Sequence, residues 1–396
     1  MIKAKRAHGE QLLQLHASKR RMSACGSARR SGTIAVPNRL HVSAEPRELP
    51  MRRFAAFSAL FLALSVCLVP VAGAPKPLQI YFIDVEGGQS TLIVDPQGES
   101  LLIDAGWDDF KGRDADRIVA AAKSAGIDHL DDVIITHYHS DHAGGVPQLA
   151  AQMKIGTFFD HGANTEDSAG TVAAYNGYLK AAAQAKRVTV NPGDELPLKG
   201  IQVQVLTAAG AEIAAPLPGA GQPNPLCASE PKVGPDPSEN SRSVGVLVTF
   251  GKFRFIDLGD LTNRKELGLA CPKNLIGTVD LYLTTHHGTA HPGTGDGSGA
   301  RAIVHMLHPR VAVMNNGAVK GGHPAAWQIV HDSPGLEDLW QLHYSIAGDR
   351  DHNVAERFIA NIAGDDLGNY IKVSAEPDAT FTVTNSRNNF SKTYTN

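Results

Sequence analysis

The sequence predicts an α/β fold of four layers, αββα, in which two mixed β-sheets stack face to face and helices cover both outer sides. Three observations predict it. Short β-branched runs recur after residue 78, helix-period segments interleave with them, and several apolar runs end directly in histidine, aspartate or asparagine. A strand end is where a sheet edge presents polar side chains, so the pattern bears on function as well as fold.

The chain has 396 residues, a length that suits either two average domains or one large α/β domain. Its beginning stands apart. Residues 1–53 carry twelve Lys/Arg against three acids and show no apolar periodicity. Residues 1–50 read as a basic leader, either disordered or an over-extended start with Met51 as the true initiator. From there the order is Met51-Arg52-Arg53, an uncharged apolar run over 54–71, and Ala72-Gly73-Ala74; this is the order of a signal peptide with its A-x-A cleavage site, so 51–74 is assigned to one. A membrane anchor is the alternative, since about 17 to 20 apolar residues just span a bilayer. Pro70 and the small residues ahead of Pro75 favour cleavage, and a lipoprotein signal at Leu64-Ser65-Val66-Cys67 lacks the small residue before the cysteine. The expectation is a secreted or periplasmic protein with no stable membrane anchor after cleavage.

Removing the first 74 residues leaves 25 basic and 37 acidic side chains, a net charge near −12. Strong binding to nucleic-acid phosphates is excluded on that balance. Cys25 and Cys67 leave with the leader while Cys227 and Cys271 remain. One disulfide is expected in an exported protein, closing a loop of about 45 residues and worth roughly 3 to 4 kcal/mol; two buried thiols are the alternative.

Taken in order, short strands are expected at 79–84, 91–95 and 100–104, separated by Gly87-Gly88 and Pro96-Gln97-Gly98 and suited to antiparallel pairing. Residues 114–125 place Ile118, Val119 and Ala122 on one helical face and stop at Gly126, a glycine C-cap. An apolar strand at 133–136 runs into His137-Tyr138-His139-Ser140-Asp141-His142. Gly144-Gly145 then opens a helix to about 153, followed by a strand at 155–160 and an alanine-rich helix at 171–186. Further strands are expected at 188–190, 201–206, 244–250, 253–258, 279–284 and 311–314. The stretch 208–239 is rich in Pro, Gly and Ala and has no period; loops of that length are lids, binding loops or disordered. Residues 75–370 read as one domain, and 371–396 as C-terminal strands at 370–374 and 380–384 with a polar, frayed tail.

The histidine cluster is the strongest chemical signal. It delivers four candidate ligands in six residues, and imidazole with carboxylate suits zinc and related divalent ions. Alternating positions on an extended segment share a face, so His137 and His139 can chelate one ion while Asp141 and His142, in the following turn, reach a second. Gly259-Asp260 and His286-His287 also follow apolar strands.

The run from His137 to Gly145 resembles the H-x-H-x-D-H-x-G-G signature of the metallo-β-lactamase superfamily. The resemblance implies the metallo-β-lactamase fold and a centre of two divalent ions, zinc first, with manganese or iron as alternatives. It assigns His137, His139, Asp141 and His142 to the metals, Asp104 in Leu101-Leu102-Ile103-Asp104 to the support of the site, and Asp260 to the bridge between the ions. His286 or His287 is the last ligand, His286 being favoured because it leaves its strand first. His161, after the strand at 155–160, is the candidate third histidine of the first ion.

Asn240-Ser241-Arg242-Ser243, and Asn315-Asn316-Gly317 with Gly322-His323-Pro324, are similar to the N-S-x-S and N-x-x-x-x-G-H-P elements of the hydrolase domain of ComEC competence proteins and their secreted relatives, phosphorylcholine esterases included. Residues 84–90 resemble the D-V-G-Q-G-D-[AS] opening of that branch and depart from it at Glu86 and Gln89. By this resemblance Ser243, Asn316 and His323 join Asp141 in catalysis, hydrogen-bonding a bound oxyanion, with His323 as acid to the leaving group. The implied reaction is hydrolysis of a phosphodiester or other phosphate ester, from a small molecule or the cell envelope, by a hydroxide that bridges the ions. Ring-opening of a lactone or β-lactam is the alternative within enzymes, and a non-catalytic metal-binding module of the envelope the alternative outside them.

Overall fold

The computed structural model describes residues 76–108, 110–289, 297–362 and 368–395; the leader and the signal-peptide segment lie outside the described residues. One sheet runs edge to edge through Ser391–Tyr394, Phe381–Asn385, Ile371–Ala375, Leu78–Phe82, Thr91–Val94, Ser100–Ile103, His129–Ile134, Lys154–Asp160 and Lys186–Thr189. Its pairing is antiparallel up to Ser100–Ile103 and parallel beyond. The other runs through Ile359–Asn361, Asp338–His343, Val311–Met314, Leu281–Leu283, Phe253–Asp257, Gly245–Phe250, Gln202–Ala208 and Glu195–Leu196, with Ala211–Glu212 paired beside Gln202–Ala208. Here the run from Phe253–Asp257 to Ile359–Asn361 is parallel.

The two-residue alternation of the strands builds the layers. Leu78, Ile80 and Phe82 face the opposite sheet, where they join Val203, Val246, Phe255 and Val313, whereas Tyr81 and Ile83 face helices. The Phe82 and Phe255 rings meet across the sandwich at 5.6 Å. Helices Arg113–Ser124, Val146–Gln152 and Ala169–Ala182 pack Ile118, Leu149 and Tyr178 onto the outside of the first sheet. Asn263–Ala270, Arg301–Leu307 and Pro324–His331 pack Leu269, Ile303, Leu307 and Val330 onto the outside of the second. The result is the αββα sandwich the sequence predicts.

The three helices over the second sheet are absent from the sequence reading. Each has seven or eight residues, two turns at most, too little for a hydrophobic period to declare itself. The tail read as polar and frayed instead supplies the strand Ser391–Tyr394. Its one buried anchor is Tyr394, which stacks on Phe381 at 5.0 Å and accepts a hydrogen bond from Trp340 Nε1. The long stretch after Ala208 is strapped down: Cys227 and Cys271 form a disulfide, and the Asn224 side-chain amide donates to the carbonyls of Ala270 and Ala302. No helix among the described residues is long and apolar enough to cross a membrane.

Candidate metal centre

The parallel strands of both sheets end on the same rim, which brings residues far apart in sequence together. After Ser100–Ile103 the chain turns through Asp104, a left-handed residue with φ of 61°, a conformation Asp tolerates better than most. The fully buried Asp104 carboxylate accepts from the Thr136 amide at 2.8 Å, from Thr136 Oγ1 at 2.7 Å and from His142 Nδ1 at 2.7 Å. That last bond keeps a proton on Nδ1 of His142 and turns Nε2 towards the rim. From the second sheet comes Gly259, at φ of 56°. A Cβ there would stand 3.0 Å from Thr136 Cβ, so glycine lets the loop that carries Asp260 close against the histidine cluster.

The ligand set converges. Asp141, His142, Asp260 and His287 each place one ligand atom within 4.8 Å of all the others, and all four are buried. His287 Nε2 lies 3.3 Å from Asp141 Oδ2, from Asp260 Oδ1 and from His142 Nε2. Asp260 Oδ2 lies 3.2 Å from His142 Nε2 and 3.9 Å from His137 Nε2, and His137 Nε2 stands 3.0 Å from His139 Nδ1. Asp260 therefore faces both histidine pairs, the position of a carboxylate that could serve two ions. Two imidazoles and two carboxylates are a donor set divalent ions accept, and Asp260 Oδ1 is buried without a hydrogen-bond donor, so the residues fit a metal.

Of the two neighbouring histidines, His287 is the one whose ring joins the four-residue group. His286 lies within 3.4 Å of Asp260 Oδ2, but its Nδ1 rests on Ser298 Oγ at 3.1 Å and it stands outside the four-residue group. Both histidines are left-handed, with φ near 55°, at a cost of about 1 kcal/mol or more each. The backbone offsets this through His286 N to Gly259 O at 3.0 Å and Gly322 N to His287 O at 2.9 Å.

The fields in the site follow from burial and crowding. Burial alone would raise the pKa of Asp141, but the Lys320 ammonium and His142 override it and hold the carboxyl well below its ordinary range. Asp260 is likewise held down against burial by His142, His286 and His287. Burial opposes a charge on His142 as well, yet Asp260, Asp141 and Asp104 push its pKa well up. His137 is pushed well down by burial and by the neighbouring histidines, which leaves it a neutral donor.

His161 is placed away from this group. Its Nε2 pairs with Glu239 at 3.0 Å, both side chains buried, and its ring packs on Tyr138 at 4.5 Å. Because Tyr138 alternates with His137 and His139 on the extended segment, its ring leads to the helix side, against Tyr175 and Tyr178, and His161 follows it. Ser243 is fully buried, and its Oγ accepts from the Asp260 amide at 3.3 Å; it braces the Asp260 backbone. Asn316, also fully buried, spends its amide on the carbonyls of Gly317 and His343 at 3.0 and 2.9 Å, which makes it a backbone brace. His323 opens the helix Pro324–His331, and its amide donates to Gly288 O at 3.0 Å.

Two contributors, Glu166 and Lys320, escaped the sequence, and a third, Gln89, was visible there only as a departure. Glu166 accepts from His139 Nε2 at 3.0 Å and thereby orients it, while its other oxygen takes the Glu239 amide at 2.8 Å. Lys320 is ion-paired with Asp141. Gln89, where the resembling branch has an acid, donates Nε2 to both oxygens of Asp257 at 3.0 Å. Burial raises Asp257 to about 7, so an acid at 89 would add a second charge at the same spot. Glu166 and Lys320 have no local signal: a lone Glu or Lys in a polar loop is the commonest of surface patterns.

Residues 83–217 match the metallo-beta-lactamase superfamily family. No curated protein matches the chain. Among solved structures, the metallo-beta-lactamase fold protein YhfI from Bacillus subtilis is 13% identical, with 67% of this chain and 96% of that one covered at a TM-score of 0.42. Zn(2+)-bound PqqB from Methylobacterium extorquens is 16% identical over 65% and 92%, TM-score 0.38. A diphosphatase from the PhnP family is 12% identical over 61% and 86%, TM-score 0.34. The family match over 83–217 agrees with the architecture of the two sheets, which is the metallo-β-lactamase fold.

Proposed function

We propose that this protein is a secreted or periplasmic hydrolase with a dinuclear metal centre, zinc being the first choice, that cleaves a phosphodiester or related phosphate ester. The observation that carries the reading is the convergence of Asp141 and His142, Asp260, and His287 from three separate segments onto one buried point, beside the His137 and His139 pair. Divalent ions bound there would supply activated water at neutral pH and neutralise charge on a reacting oxygen.

The chain's own residues do the rest. Asp104 and Thr136 fix the tautomer and plane of His142, and Glu166 does the same for His139, the outer support on which metal affinity depends. Ser243 holds the Asp260 backbone. The phosphate-ester preference is supported by the similarity of 84–90, 240–243 and 315–324 to ComEC-type hydrolase domains. Export is supported by the segment at 51–74 and by the disulfide, which persists in oxidising compartments.

The test is metal analysis of the purified protein together with turnover of bis-p-nitrophenyl phosphate, nitrocefin and an acyl lactone, each against Asp141→Ala. Diester turnover that disappears in the variant while the fold persists is expected. Turnover of lactam or lactone alone would reject the phosphate-ester reading, and undiminished turnover in the variant would reject the dinuclear centre.

A further inference from the structure

We propose that Lys320 is the seat for an anionic oxygen of the substrate, a specificity residue that selects charged phosphate esters over neutral ones; this rests on the phosphate-ester reading and deepens it. Lys320 lies in the loop between Asn316 and His323, next to Val319, which is 77% exposed. Its own side chain turns the other way. The ammonium pairs with Asp141 and stands 5.0 Å from the centre of the Trp107 ring.

The loop is built to hold it there. Gly317 N bonds back to Lys320 O at 2.9 Å, and Gly321 and Gly322 follow in left-handed conformations. A Cβ on Gly321 would come within 2.2 Å of His287 O, and one on Gly87 within 2.8 Å of Lys320 Cβ. The root of the lysine is therefore held against Gly87, and the glycine after it against the backbone of His287. Fixing so long a side chain costs up to about 2 kcal/mol of rotamer entropy, although open solvent lies one residue away.

Neutralising Asp141 cannot be its lasting task. A divalent ion on that carboxylate supplies the same charge more strongly and repels an ammonium at the same oxygen. The flexible head of Lys320 then has a cation-tolerant aromatic face under it and stays in reach of whatever lies over the ligands. A phosphodiester brings one negative charge to that place at neutral pH, and a lactone or triester brings none.

The experiment compares wild type with Lys320→Met and Lys320→Arg as full-length, zinc-loaded proteins whose metal content is measured. One readout is the affinity for inorganic phosphate by calorimetry. The other is turnover of bis-p-nitrophenyl phosphate against the neutral diethyl p-nitrophenyl phosphate. Lys320→Met should weaken phosphate binding and raise KM for the diester by about tenfold, as loss of one charge-assisted hydrogen bond implies, with the triester changed by less than about twofold; Lys320→Arg should recover most of the difference. Equal losses on both substrates, loss of metal, or unaltered phosphate affinity would overturn the proposal. If wild type cleaves no diester but binds phosphate in a Lys320-dependent way, the anion seat stands and the phosphate-ester reading fails.

Discussion

The substitution Asp104→Asn tests how the site is held, because it changes one atom of a fully buried group that stands outside the converging set of Asp141, His142, Asp260 and His287. Asparagine tolerates the left-handed backbone at 104 and keeps an acceptor for the Thr136 amide, now 2.8 Å away. The other position, which accepts from His142 Nδ1 at 2.7 Å, becomes an N–H that faces an N–H. His142 must then either rotate or move its proton to Nε2, which would aim a donor at Asp141 and Asp260, 3.2 Å away in each case, and leave no lone pair for an ion. The lost hydrogen bond to a charged group is worth about 1.5 to 3 kcal/mol, which at about 1.4 kcal/mol per decade is a factor of roughly 10 to 100. The loss of an outer partner to a metal-ligating histidine independently suggests the same range. Competition with a chromophoric chelator measures the zinc affinity, and circular dichroism checks that the variant is folded. A folded Asp104→Asn protein that binds zinc within about twofold of wild type would refute the argument that Asp104 sets the tautomer of His142.

Two further outcomes follow from the structure. Glu266 is fully buried, accepts from the Ala300 amide at 3.0 Å and is raised by burial to about 7; the folded protein thus keeps a proton that the unfolded chain releases near 4.5. Its contribution to stability is present below that pH and is lost as pH rises through 7, about 3 kcal/mol in all, so the urea midpoint of Glu266→Gln should fall less between pH 5 and 7.5 than that of wild type, and parallel curves would sink the assignment. Replacing both Cys227 and Cys271 by serine removes a cross-link of sequence separation 44 and should lower unfolding free energy by about 3 to 4 kcal/mol while zinc content stays unchanged; loss of zinc would mean that the strapped loop shapes the centre.

The sequence by itself determined the elements that announce themselves locally. The alternation in 78–103 and the apolar run before His137 specify strands because period two is a property of the extended chain. The ligand cluster was legible for the same reason: His137, His139, Asp141 and His142 lie in one short segment, and the strand in front of it fixes where they emerge. Only the tertiary structure decided which partners meet them. His287 joins the four-residue group and His286 stands beside it, because two left-handed residues and bonds to Gly259 and Gly322 orient the rings. His161 went to Glu239, 78 residues away, because Tyr138 leads it to the helix side. Glu166, Lys320 and the roles of Ser243 and Asn316 depend on contacts between segments that share no local pattern. Periodicity reports how a residue faces its own strand or helix, whereas a site at the rim of two sheets is made of distances between strands, and those are fixed only when the layers pack.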